Sequence, residues 1–90
     1  MASQPNSAFE SLEHQLVSLI SERLLETRPD FNADSNLYDN GLDSMAIMQL
    51  LVLVEEKYRV AIPEGDLTRQ NFSTTRHLAE LIRESSARAA

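Results

Sequence analysis

Ser44 is the residue of this sequence whose type and position carry the most chemical information. It follows a glycine turn at Gly41 and precedes the longest largely apolar run of the chain, residues 45–54. We therefore expect Ser44 at the point where a loop becomes a helix. A serine there either caps the helix by accepting a backbone N–H or bears a phosphate group, which free amides and the helix dipole stabilise. Asp43 could equally be the cap and leave the Ser44 hydroxyl free.

A nucleophilic serine would also need a general base within hydrogen-bond reach and an oxyanion hole. The nucleophile elbow G-x-S-x-G is absent, because the run around Ser44 is Gly-Leu-Asp-Ser-Met-Ala. His14 and His77 are the only histidines, and both fall inside helical patterns, where we expect them on the surface. The sequence therefore predicts no catalytic residue, and a serine hydrolase is disfavoured.

Metal binding is not indicated either. The chain has no cysteine, which excludes disulfides, cysteine nucleophiles and thiolate metal sites. Its loop aspartates are spaced by four or five residues, unlike the alternating ligands of a calcium loop; they are Asp30, Asp34, Asp39 and Asp43. We predict no metal site, and any thiol chemistry would need a thiol from an attached group.

The net charge of −6 lies entirely in the middle segment of the chain. Residues 30–66 hold eight acids against Lys57 and Arg59, whereas the two flanking segments together are neutral. We expect no nucleic-acid partner, since nucleic acid requires a basic footprint. Acidity confined to one region favours electrostatic steering toward basic partners. The alternative is a solvated acidic loop with no role beyond solubility, because loops collect Asp and Asn in any case.

Ninety residues form one small domain. With 42% hydrophobic and only 6% aromatic residues, its core is expected to be aliphatic and helical. No apolar run approaches the roughly 18–20 residues that span a bilayer. The first residues lack the basic and apolar regions of a secretory signal. The sequence thus predicts a soluble, cytoplasmic protein without a membrane span.

The first half of the chain predicts a disordered lead (residues 1–6), a helix and a long loop. Ser7 and Glu10 fit the S-x-x-E capping box, and the helix is expected to end at about Leu25 or Glu26, before Pro29. Residues 29–43 make a loop of the length typical of functional loops. The residues expected to form the apolar helix face are Phe9, Leu12, Leu16, Leu19, Ile20 and Leu24, and those expected to anchor the loop are Phe31, Leu37 and Tyr38.

The second helix is predicted from about Ser44 to Tyr58, and apolar residues nearly encircle it. At 100° per residue, the expected core stripe is Ile47, Leu51, Val54 and Tyr58 with Leu50 at its edge, and the flanking apolar residues are Met45, Met48, Val52 and Leu53. Such a helix is either buried on most sides or presents an apolar patch to a partner. The sequence leaves both the burial and the exposure of Met45 and Met48 open.

The last third predicts an extended link, a short helix and a final helix. Residues 60–62 form the link, and one or two helical turns are expected over 64–71 with Leu67 and Phe72 facing inward. Ser73 or Thr74 can cap the final helix, and residues 85–90 are expected to fray. The expected inward face of that helix is Leu78, Leu81 and Ile82. The predicted fold is all-α: a four-helix bundle of three main helices and one short one, with a long loop between helices 1 and 2.

Residues 37–45, LYDNGLDSM, closely resemble the phosphopantetheine attachment motif of acyl and peptidyl carrier proteins. That motif is a hydrophobic residue, a glycine turn, and then Asp-Ser-Leu or Asp-Ser-Met at the start of a helix. The resemblance extends over about residues 9–84, with the Glu-Glu-x-Tyr helix end at 55–58 and the Ile-Pro link at 62–63. It implies a non-catalytic carrier domain over residues 7–84.

The resemblance also implies a cofactor and partners. A phosphopantetheinyl transferase would move 4′-phosphopantetheine from coenzyme A to Ser44, next to the motif residue Asp43. The thiol of the arm would carry acyl or aminoacyl groups as thioesters between an adenylating ligase and a downstream acyltransferase or synthase. The carrier itself is expected to be a monomer. The alternative is an unmodified helical protein–protein interaction domain in which Ser44 is a simple cap.

The second helix departs from that of fatty-acid carriers, which resemble one another in acids strewn along it. Here its middle is apolar, and acids stand only at Glu55 and Glu56. The chain looks more like stand-alone D-alanyl and aminoacyl carriers, which implies amino acid or small acid cargo in preference to long fatty chains. Partners are then expected to grip Met45, Met48 and Val52, with less weight on the acidic contacts of Glu55 and Glu56.

Overall fold

The computed structural model describes residues 11–89 and is helical throughout its regular structure. Within that range the α-helices are α1 (Leu12–Arg23), α2 (Ser44–Tyr58) and α3 (Thr75–Ala89), and 3₁₀ turns occupy Tyr38–Asn40 and Glu64–Asp66. The extended pairing found among these residues is one isolated bridge between Asn36 and Thr74. The all-α prediction is confirmed. The fourth, short helix is represented only by the 3₁₀ turn at Glu64–Asp66.

Helix α1 begins after Ser11, whose Oγ accepts a hydrogen bond from the His14 amide at 3.0 Å. It ends at Arg23, before the predicted end, because the amides of Leu24 and Leu25 both donate to the Ile20 carbonyl. Two donors on one acceptor break the i→i−4 ladder of the α-helix. The predicted lead, the capping box of Ser7 and Glu10, and Phe9 lie outside the described residues.

The loop after α1 is held by both apolar and backbone contacts. Leu37 is fully buried, and Phe31 and Tyr38 are partly buried against the core, which confirms the three predicted anchors. The Leu37 amide also donates to the Ser73 carbonyl at 2.8 Å, and the Arg76 amide donates to the Ala33 carbonyl at 3.0 Å. These hydrogen bonds tie the loop to the start of α3 and thereby position the part of the loop that leads into α2.

Helix α2 has the predicted boundaries but a buried face that differs in part from the predicted one. Leu50, predicted at the edge of the stripe, has 0% of its surface exposed, whereas Ile47 and Leu51 are only partly buried. Ala46 is also buried. The fully buried residues are therefore Ala46, Leu50 and Val54, and the other members of the predicted stripe, Ile47, Leu51 and Tyr58, pack against the core while partly exposed. Because alanine is only weakly hydrophobic, the sequence pattern gives little indication that the side of α2 with Ala46 is buried.

The segment between α2 and α3 is less helical than predicted. Beyond the 3₁₀ turn, the Asn71 side chain donates to the Asp66 carbonyl at 2.9 Å, and Thr68 Oγ1 accepts from the Asn71 amide at 3.1 Å. Such side-chain bonds compete with the helical ladder. As a result Leu67 is 39% exposed, contrary to the prediction that it faces inward, whereas Phe72 is buried as predicted.

Helix α3 is capped by Thr74, whose Oγ1 accepts from the His77 amide at 3.1 Å. Its inward face is the predicted one, because Leu78, Leu81 and Ile82 are all buried. The helix continues to Ala89, past the point where the sequence predicts fraying. Two contacts account for the extra turn: Ser85 is buried, and Arg88 donates to an Asp66 carboxylate oxygen at 2.9 Å.

Three arginines of α3 form ion pairs with three other parts of the described chain. Arg76 pairs with Asp34 of the loop at 2.7 Å, Arg83 with Glu13 of α1 at 2.8 Å, and Arg88 with Asp66 at 2.9 Å. Each arginine is about half exposed, so each pair is individually weak. Together they add contacts between α3 and the elements it packs on.

None of the helices in residues 11–89 has the length and apolar character that crossing a membrane requires.

The Glu13–Arg83 pair predicts a pH dependence of stability. Two hydrogen bonds from the guanidinium of Arg83 lower the pKa of Glu13 from 4.5 to about 2. Because the folded pKa is depressed, the ionised pair stabilises the fold above pH 4.5, and this contribution is lost as the pH falls toward 2. We expect Glu13→Gln to lower the free energy of unfolding by about 1 kcal/mol at pH 7, since Arg83 is solvent-screened.

Urea unfolding at a series of pH values measures this effect. The deficit of Glu13→Gln relative to wild type should shrink as the pH falls from about 4 toward 2, because the carboxylate of the unfolded chain takes up its proton first and that of the folded protein only near pH 2. Glu22→Gln is the matched control, because Glu22 is an exposed acid of the same helix with no ion pair among the described residues. A deficit for Glu13→Gln that is independent of pH would contradict the prediction.

Candidate functional site

A tight turn delivers the chain to Ser44. After the 3₁₀ turn at Tyr38–Asn40, Gly41 adopts φ 102°, a left-handed conformation that glycine takes without strain. The chain then reverses, and the amide of Leu42 donates to the Leu37 carbonyl at 3.0 Å. Leu42 is buried in the core. The buried leucines on both sides of the turn thus fix the point at which α2 starts.

Asp43 is the N-cap of α2. Its backbone is extended, and its Oδ1 accepts a hydrogen bond from the Ala46 amide at 2.9 Å. Its carbonyl accepts from the Ile47 amide at 2.8 Å and begins the helical ladder. Of the two roles that the sequence left open for Ser44, capping therefore belongs to Asp43.

Ser44 is the first residue of α2, and its side chain is exposed. Its hydroxyl makes no hydrogen bond to any residue in the range 11–89. The first amides of the helix have no intrahelical acceptor, and together with the helix dipole they make this end partly positive. An ester of phosphoric acid on the Ser44 oxygen would lie where a negative charge is stabilised.

The histidines do not form a catalytic pair with Ser44. His77 is exposed in the first turn of α3, and its Nδ1 lies 2.8 Å from Thr74 Oγ1. His14 is exposed in α1. Across the described part of the chain, no group of three or more His, Asp or Glu side chains is arranged to hold a metal ion. The exposed, unpaired hydroxyl of Ser44 is suited to accept a group from another protein.

Ser44 is among the residues that line a groove of about 380 Å³. Its apolar wall consists of Leu42, Ile47, Leu67 and Phe72, and its polar rim includes Tyr38 and Arg69. We call it the Ser44 groove. Arg69 is not among the predicted site residues, because nothing in its position along the chain indicates that it shares a groove with Ser44. Leu67, predicted to face the core, instead lines this groove.

The surface of α2 next to Ser44 is apolar. Met45, Met48 and Val52 have 73%, 63% and 54% of their surfaces exposed. Spacings of three and four residues place them on one face of the helix, and we call them the α2 apolar patch. The question left open for Met45 and Met48 is thus answered in favour of exposure. Glu55 and Glu56 are exposed at the far end of the same helix.

The residues around Ser44 fit a 4′-phosphopantetheine arm. The hydroxyl is accessible and free, and the helix start provides a partly positive setting for a phosphodiester. The Ser44 groove offers an apolar wall along which a pantetheine chain can lie. No side chain of the described residues blocks the hydroxyl by bonding to it.

Comparison with known proteins gives consistent results. Residues 14–82 match the family model described as "Phosphopantetheine attachment site". The D-alanyl carrier protein of Lactobacillus delbrueckii subsp. bulgaricus is 28% identical over 74 residues, which cover 81% of this chain and 91% of the relative. Aminoacyl carrier protein 2 of Bradyrhizobium diazoefficiens is 24% identical over 74 residues, covering 80% and 83%.

The fold also matches a solved structure. A chain in the crystal structure of the Bradyrhizobium japonicum glycine:[carrier protein] ligase, complexed with its cognate carrier protein and an analogue of glycyl adenylate, superposes with a TM-score of 0.69. The identity is 24%, and the match covers 82% of this chain and 99% of that one. At this identity the likeness bears on the fold. Because the family model spans most of the chain, including Ser44 and the elements that position it, the chain belongs to the family of proteins with a phosphopantetheine attachment site.

Proposed function

We propose that this protein is a carrier with no catalytic chemistry of its own, and that Ser44 bears its 4′-phosphopantetheine arm. The observation that carries the proposal is the division of roles at the start of α2. Asp43 caps the helix, and the exposed hydroxyl of Ser44 is left without a partner among the described residues. The arm supplies a thiol for thioester formation, which a chain without cysteine otherwise lacks.

The attachment step follows from the groups present. The Ser44 oxygen bonds to the pantetheine phosphorus of coenzyme A, the phosphoanhydride bond breaks, and adenosine 3′,5′-bisphosphate leaves. The hydroxyl proton must go to a base of the transferase, because no basic group of the described residues is bonded to Ser44. The free amides at the start of α2 favour the resulting phosphodiester anion.

Three classes of partner belong to this proposal. They are a phosphopantetheinyl transferase, an adenylating ligase that activates the cargo, and a downstream acyltransferase or synthase. A ligase partner is supported by the Bradyrhizobium japonicum ligase, which was crystallised with a carrier protein. The carrier domain of this proposal covers residues 7–84 and acts as a cytoplasmic monomer.

We favour an amino acid or a small acid as cargo. The relatives named above carry D-alanyl and aminoacyl groups by name. From its first turn to its middle, α2 presents the apolar patch of Met45, Met48 and Val52 in place of acids. An apolar surface this exposed on a small protein is typical of a partner-binding site. Glu55 and Glu56 lie at its edge and add charge complementarity to a basic partner.

Ser44→Ala tests the attachment site. Wild-type protein incubated with coenzyme A and a broad-specificity phosphopantetheinyl transferase should gain the mass of one phosphopantetheinyl group, and Ser44→Ala should gain none. Because Asp43 provides the cap, Ser44→Ala should change the free energy of unfolding by less than about 0.5 kcal/mol, whereas Asp43→Ala should lower it by about 1 kcal/mol. Intact-mass spectrometry and urea unfolding measure the two effects.

The alternative of an unmodified interaction domain makes the opposite prediction. It expects no added mass in wild type under conditions that load another carrier protein, and it expects Ser44→Ala to be the destabilising variant. Either of these results would contradict the proposed function.

The cargo is tested with the loaded protein. We expect adenylating ligases to charge the arm with small amino acids or short acids in preference to long-chain fatty acids. Mass spectrometry of the loaded protein, after incubation with each ligase and a panel of acids, measures the charging. Ser44→Ala is the control for attachment elsewhere. Charging by long-chain acids alone would overturn this preference.

The α2 apolar patch should contribute more to ligase recognition than the acids beside it. A glutamate at position 45 or 48 would place a charge in a surface that binding desolvates, so we expect Met45→Glu and Met48→Glu to raise the KM of the ligase for the loaded carrier about 10-fold or more. Glu56 is an exposed residue of the same helix, and Glu56→Ala should change this KM by about 3-fold or less. Steady-state kinetics with equally loaded variants provide the measurement, and the reverse order would favour electrostatic docking.

A further inference from the structure

Arg69 is held in place at the rim of the Ser44 groove. The Cζ atom of its guanidinium lies 4.1 Å from the centroid of the Tyr38 ring, within the range of a cation–π contact. The Tyr38 hydroxyl in turn donates a hydrogen bond to the Arg69 carbonyl at 3.2 Å. Arg69 and Tyr38 thus fix each other, and both line the Ser44 groove.

No carboxylate of the described residues neutralises the charge of Arg69. Arg76, Arg83 and Arg88 are each paired with a carboxylate, whereas Arg69 forms no ion pair within residues 11–89. It is also the one basic side chain among those described that line the Ser44 groove. The acid of the groove, Asp43, already accepts the Ala46 amide as the helix cap.

A group attached to Ser44 would change the balance of charge in this groove. Residues 30–66 carry the entire net charge of −6, and a phosphodiester would add another negative charge beside the Asp43 carboxylate. A guanidinium presents a planar array of donors that matches two phosphate oxygens at once. Arg69 is the group in the groove that can offset the added charge.

We propose that Arg69 is a positioning residue that pairs with the phosphodiester on Ser44 and lays the first part of the arm along the Ser44 groove. The inference rests on the proposed function, since it requires the arm. In the unloaded protein the guanidinium rests on the Tyr38 ring, ready for an anion. In the loaded protein it holds the start of the arm on the groove side of α2 and leaves the α2 apolar patch clear for a partner.

Nuclear magnetic resonance of ¹⁵N-labelled protein before and after loading tests the proposal. Complete loading is established first by intact-mass spectrometry. We expect loading to shift the Nε–Hε resonance of Arg69 and the amide resonances of residues 67–72. In Arg69→Gln, which keeps hydrogen-bonding capacity but loses the charge, the shifts at 67–72 should fall to about half or less. Arg69→Lys, which keeps the charge without the planar donors, should lie between the two.

Lys57→Gln is the matched control. Lys57 is also an exposed cation over a tyrosine ring, with its Nζ 5.9 Å from the Tyr58 centroid, and it lies in the last turn of α2. Lys57→Gln also removes one positive charge, but at a position outside the Ser44 groove. The shifts that loading causes in this variant should therefore equal those of wild type. Raising the ionic strength about 10-fold should reduce the Arg69 shift, as expected for a charge pair near the surface.

The outcomes separate this inference from the proposed function. If no phosphopantetheinyl mass is added to wild type, the proposed function fails. If the mass is added but the Nε–Hε resonance of Arg69 does not move, or if Arg69→Gln and wild type shift equally at 67–72, the arm does not pair with Arg69 and the inference is overturned. Spectra of the unloaded variants show whether each variant keeps the fold.

Discussion

The hydrogen bond from the Ala46 amide to the Asp43 carboxylate determines what the site can do. It satisfies one of the free donors at the start of α2 and makes Asp43 the cap of the helix. The neighbouring hydroxyl of Ser44 is therefore not needed to cap the helix. Without this bond, a serine at that position would serve the helix itself, and its oxygen would be less accessible to a transferase.

The position of this helix start depends on elements distant in sequence. The loop before it is fastened to the beginning of α3 through backbone bonds from Leu37 and Arg76, and buried Leu37 and Leu42 hold both sides of the glycine turn. Helix α3 in turn packs on the core through Leu78, Leu81 and Ile82, and its arginines add ion pairs with Glu13, Asp34 and Asp66. A rigid frame thus surrounds a site whose own side chains are exposed. This arrangement holds the Ser44 hydroxyl in one exposed position.

The sequence predicted those features whose causes are local. Helix α2 has the expected boundaries because Gly41, Asp43 and the apolar run define them directly, and the inward face of α3 follows its three- and four-residue spacing. Tertiary features were not predictable in this way. Leu50 is buried on a face of α2 that Ala46, a weakly hydrophobic residue, marks only weakly in the sequence. In place of the short fourth helix, the side chains of Thr68 and Asn71 form hydrogen bonds of their own. Helix α3 extends past its predicted end, where Arg88 contacts Asp66. Arg69 and Ser44 are distant in sequence, and only the tertiary fold brings them to the same groove.

The capping by Asp43 has a consequence for how enzymes distinguish the forms of this protein. A group added to the Ser44 oxygen breaks none of the hydrogen bonds that start α2, because none of them uses that oxygen. The forms with and without the added group would accordingly share the same start of α2. An enzyme that must act on one form and release another would have to recognise the added group itself, or the groove residues that it contacts.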